Sequence, residues 1–97
     1  MKIVQIDKLV LIDNHIYYIK KYVANVVFLN EKSRIIRTDM GFTLEIGALG
    51  DFKVSIDSIN LENNLITDLM RNEIRDKILD MEQLGMLPGV IPDAFNG

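Results

Sequence analysis

A single histidine, His15, stands two residues from Asp13. An imidazole beside a carboxylate is a fragment of an acid–base pair or of a metal site, but either chemistry needs more groups than these two. The 97 residues contain no cysteine and no second histidine, which excludes disulfides and thiolate metal sites. His15 therefore reads as a surface residue at a turn. No serine lies in a nucleophile-elbow context, and no glycine-rich loop precedes a helix as a phosphate cradle requires. Gly47 and Gly50 belong to a turn between two strands. Asp39, Asp51 and Asp57 fall at turns and strand ends, where aspartate is ordinary. The sequence thus assigns no catalytic residue, no metal ligand and no cofactor, and reads as a protein that is not an enzyme.

One group of side chains suggests binding. Lys20, Lys21, Arg34 and Arg37, with Tyr17, Tyr18 and Tyr22 nearby, combine positive charge with aromatic faces, a pairing that can hold single-stranded nucleic acid or an anionic nucleotide. The plainer reading is that the tyrosines fill the core margin and the lysines guard an edge strand. The net charge of −3 hides an asymmetry: through Asp39 seven Lys/Arg face four Asp/Glu, and from Met40 onward four face ten. A uniformly basic nucleic-acid binder would not look like this.

The elements that must position these residues are legible in part. Phe42, Leu44 and Ile46, then Phe52, Val54 and Ile56, alternate with polar residues at the period of a half-buried strand. Paired around residues 47–51, Ile46 meets Phe52, Leu44 meets Val54 and Phe42 meets Ile56. The same register sets Glu45 against Lys53 and Thr43 against Ser55, both favourable cross-strand neighbours. Asp39-Met40-Gly41 reads as a three-residue hairpin loop with Gly41 at positive φ.

Residues 2–12 read as one bent strand or two short ones, with Asp13-Asn14 as a hairpin turn. The run from His15 to Leu29 is rich in β-branched and aromatic residues, so it reads as two strands meeting near residues 22–25. Asn30-Glu31-Lys32-Ser33 is a type I turn that sets Val27 against Ile36 and Phe28 against Ile35. Val26, Phe28 and Ile35 then form a second apolar patch, on the face opposite the core. From residues 60–64 the period lengthens to 3.6. Ile66, Met70, Ile74, Ile78 and Met81 line one helical face, with a cap at Asn60, Asn63 or Asn64 and a stop at Gly85.

The expected fold is α+β: an antiparallel meander of five to seven strands, curled or barrel-like, followed by one C-terminal amphipathic helix. Residues 1–85 make one domain and residues 86–97 an extended apolar tail. With apolar residues on both faces of the sheet, the expected function is a protein-interaction or assembly module that self-associates or binds a protein partner. Val26, Phe28, Ile35, Val90, Ile91 and Phe95 are its expected partner-binding residues. A small nucleic-acid or nucleotide binder using Lys20, Lys21, Arg34 and Arg37 is the alternative. No apolar run approaches the ~20 residues of a membrane span, and no signal-peptide pattern opens the chain, so a soluble, cytoplasmic protein is expected. The heavy use of Ile and Asn hints at AT-rich coding, and by association with small AT-rich-coded proteins a phage-type structural or accessory (inhibitor) role is a further expectation.

Overall fold

The computed structural model describes residues 2–16, 18–61 and 67–89. Four strands, β1 (Lys2–Ile16), β2 (Ile19–Leu29), β3 (Ile35–Ile46) and β4 (Phe52–Ile59), precede one helix, α1 (Asp68–Gln83). The strands form an antiparallel sheet in the order β1-β2-β3-β4, a simple meander in which each strand pairs with the next. The β3–β4 register is the one that alternation demands: Ile46 opposite Phe52, Leu44 opposite Val54, Phe42 opposite Ile56, Glu45 opposite Lys53 and Thr43 opposite Ser55. A slip of one residue would have turned three large side chains of either strand to the wrong face.

The sheet has four long strands in place of five to seven shorter ones, because three of the expected turns lie within strands. Asp39, Met40 and Gly41 continue β3. Asp39 is held in the strand by Asn25 on β2, whose Nδ2 donates to its Oδ1 at 2.8 Å. Gly41 is there for room: a Cβ at this position would lie 3.0 Å from the Ser58 hydroxyl, beside a break in the β3–β4 register. Asp13 and Asn14 continue β1, and the chain reverses between Ile16 and Ile19, which pair. His15 to Leu29 is likewise not split, since β2 runs unbroken from Ile19 to Leu29.

The turn after β2 is one residue longer than the four-residue reading. The Asn30 N–H donates to the Arg34 carbonyl at 2.9 Å, and Ser33 takes a φ of 60°. Asn30 Oδ1 accepts from the backbone N–H of both Lys32 and Arg34 at 2.9 Å. The extra residue sets Phe28 opposite Ile36 and Val27 opposite Arg37. Val26 and Phe28 consequently face the helix and are fully buried, and Ile35 alone of the expected patch is exposed, at 69%.

Helix α1 contacts β1 and β4, the two edges of the sheet. An open sheet that meets one helix with both its edges must curl around it, and the hollow over β2 and β3 is filled by large side chains. Tyr22 and Phe42 stack there with ring centroids 5.0 Å apart, among Leu11, Phe28, Leu44, Ile74 and Ile78. Met70, Ile74, Ile78 and Met81 are the buried helix residues, which is the expected stripe; Ile66 lies outside the described residues. The helix begins later than the asparagine caps imply. Thr67 is its N-cap, accepting the Met70 N–H at 3.1 Å. Its end has the bonding of a Schellman motif: Met86 N–H to the Met81 carbonyl at 2.9 Å, Gly85 N–H to the Glu82 carbonyl at 3.0 Å, and Gly85 at a φ of 70°.

Candidate functional site

With Tyr22, Ala24, Val26 and Phe28 turned to the core, strand alternation sends Ile19, Lys21, Val23, Asn25, Val27 and Leu29 to the face without a helix. Cross-strand pairing arranges that face in rungs of alternating character. Ile16 and Ile19 make one rung, and Asp13, Lys21 and Thr43 make the next. Val10, Val23 and Gly41 follow, then Asp7, Asn25 and Asp39, then Gln5, Val27 and Arg37, and last Lys2, Leu29 and Ile35.

The rungs differ in how well they are covered. Arg37 Nη1 reaches both carboxylate oxygens of Asp7 at 3.2 and 3.1 Å, and Gln5 Nε2 donates to the same carboxylate at 2.9 Å. These chains lie around Val27, which is buried although no helix covers it. The Val10–Val23–Gly41 rung has no such cover. Gly41 contributes no side chain, and Val23 is 40% exposed. The result is an open groove of about 550 Å³ floored by Val23 and Gly41 and rimmed by Lys8, Asn25, Asp39, Ser58 and Asn60. Lys8 reaches the rim from an irregular stretch of β1, where its φ is 51°. Ile12, at 47% exposure, and, beyond the Asp13–Lys21–Thr43 rung, Ile16, at 42%, are further exposed apolar side chains of β1.

The basic residues singled out from sequence are not gathered. Lys21 and Arg37 share the outer face, but Arg37 pairs with Val27, six residues along β2 from Lys21, which is about 20 Å of strand. Lys20 lies on the core side opposite Leu44, Arg34 sits in the distant turn, and the Arg37 guanidinium is engaged by Asp7. At the other end, Asp13, His15, Ile16, Ile19 and Lys21 line a smaller depression of about 260 Å³. There Asp13 Oδ1 accepts the backbone N–H of His15 at 2.9 Å, so this carboxylate orders the chain. Among the described residues no three His, Asp or Glu side chains are grouped to hold a metal ion.

Of the expected docking arm, Val90, Ile91 and Phe95 lie outside the described residues. The stretch just before them packs on its own domain: Leu87 joins the core, and the Pro88 carbonyl accepts the Tyr22 hydroxyl at 2.9 Å. Burial, and secondarily the Glu82 carboxylate, push the Tyr22 phenol up to about 12. The rung of half-buried Val10 and exposed Val23 is not legible in the sequence, because reading Asp13-Asn14 as the turn misaligns all of β1. The signal that both faces of the first hairpin are apolar was nevertheless present. No helix among the described residues is long and apolar enough to cross a membrane. No family model, curated protein or solved structure matches the chain.

Proposed function

We propose that this protein is a non-catalytic interaction module that works by associating with protein, through the helix-free face of β1 and β2. The observation that carries this reading is the exposure of Ile12, Ile16 and Val23, with Val23 on the floor of the groove over Gly41. An apolar floor rimmed by polar groups is a mark of a protein-binding surface. The rim here supplies an ammonium, a carboxylate, two carboxamides and a hydroxyl, from Lys8, Asp39, Asn25, Asn60 and Ser58. Such a rim orients a partner, while the apolar floor supplies the affinity.

The test is light scattering over a wide concentration range, with methyl NMR of the valine and isoleucine side chains. Association accompanied by shifts at Val23 and Ile16, and weakened when both are changed to lysine, is the expected result. A strictly monomeric chain whose Val23 and Ile16 methyls are insensitive to concentration, and to added protein partners, overturns the reading.

A further inference from the structure

The two edges of the sheet are unlike. The pairing of β1 with β2 shifts register at four places, and β1 carries Lys8 at positive φ. Bulges and charges of this kind keep an edge from pairing with another chain. From Phe52 to Ile56, β4 is regular. Its backbone phase follows from the adjoining turn. The Gly47 N–H donates to the Asp51 carbonyl at 2.7 Å, while the Ile46 N–H donates away from β4, to the Tyr18 carbonyl, at 2.9 Å. Alternation from there turns the peptide groups of Lys53 and Ser55 toward β3 and those of Phe52, Val54 and Ile56 outward. No strand among the described residues pairs with that side. Beside it, between β4 and α1, opens a cleft of about 660 Å³ whose walls include Val54, Ile56, Arg75, Asp76 and Leu79.

We propose that the β4 edge pairs with the β4 edge of a second copy of this chain, antiparallel about a two-fold axis at Ser55, to make one continuous eight-stranded sheet. Charge selects the register. Self-pairing must set the outward-facing residues opposite one another, which permits centres at positions 53 to 56. A centre at Lys53 opposes two lysines, one at Val54 sets Lys53 against Ser55, and one at Ile56 sets Asp57 against Ser55. Only the centre at Ser55 opposes unlike charges, Lys53 of one copy against Asp57 of the other, twice by symmetry. The same register sets Val54 against Ile56 on the helix side, so both faces of the new pair match. The contact is isologous and closes at two copies. Both helices lie on one side of the joined sheet, where Arg75 and Asp76 from each copy supply one charge of each sign to the shared cleft. This inference is independent of the apolar outer face, which the pairing leaves uncovered.

Sedimentation equilibrium of the full chain and backbone amide exchange test it together. A dimer is expected, with the Val54 and Ile56 amides gaining protection as concentration rises. Lys53→Asp and Asp57→Lys should each weaken the dimer about tenfold, as two attractions become two repulsions. The double exchange Lys53→Asp/Asp57→Lys should restore it. A dimer indifferent to these reversals but lost when Val23 and Ile16 become lysine overturns the edge pairing and leaves the outer-face reading standing. A monomer whose two amides exchange freely at every concentration overturns it as well. A monomer whose amides are protected at every dilution also overturns it, by placing a segment of the same chain on the edge. The exchange measurement needs no variant, so it holds even if a charge reversal fails to fold.

Discussion

Tyr22 ties three parts of the chain together. Its ring is buried on β2 and stacked on Phe42 of β3, and its hydroxyl donates to the Pro88 carbonyl beyond the helix. Tyr22→Phe keeps the stacking and removes the bond, so equilibrium unfolding in urea should show a loss of about 1 kcal/mol. The phenol also makes stability depend on pH. Its folded value of about 12 exceeds the ordinary phenol value of 10.0, so its contribution is complete below pH 10. From there upward the unfolded chain gives up the proton first, and stability falls until the folded phenol has titrated as well. A difference titration of tyrosine absorbance between the wild type and Tyr22→Phe should therefore show a midpoint near 12. A midpoint near 10 would mean that the hydroxyl is solvated. Ile74, fully buried on α1 beneath the sheet, should cost about 2–5 kcal/mol when truncated to alanine, read from the same urea curves.

At the scale of elements, the helix was the most legible part and its first turn the least. A 3.6-residue stripe is a sum over many positions, so Met70, Ile74, Ile78 and Met81 declare their face whatever happens at the ends. A cap is one hydrogen bond, and several asparagines upstream of Thr67 offer the same chemistry. Thr67→Ala should cost about 1 kcal/mol and reduce helicity by circular dichroism. If Thr67 did not cap, the change would be neutral. Strand turns pose the same problem. Asp13-Asn14 and Asp39-Met40-Gly41 have turn composition, yet both stay extended. In the second case Asn25 from a neighbouring strand satisfies Asp39, and Ser58 occupies the space that Gly41 leaves. Neither partner is visible from the local sequence.

For the whole molecule, the helix touches both edge strands while the central strands supply the largest buried side chains. Sheet and helix therefore share one core and should unfold as one unit. Circular dichroism, which reports helix and sheet, and tyrosine fluorescence, to which buried Tyr22 contributes, should give coincident urea transitions. Separate midpoints would show that α1 leaves the sheet independently. The face away from the helix is outside this core, and there the alternating rungs leave Val23 and Ile16 uncovered.

Local pattern alone settles the β3–β4 pairing, the buried stripe of α1 and its glycine stop, because each rests on the periodicity of neighbouring residues or on a conformation that glycine adopts most freely. The sheet's folding on itself decides the rest: how many strands there are, which of Val26, Phe28 and Ile35 remains exposed, and how far apart the basic residues lie. The reason is that a strand's turns and register are set by what its neighbours offer across the sheet. One added residue in the Asn30–Arg34 turn was enough to carry Phe28 from the outer face into the core.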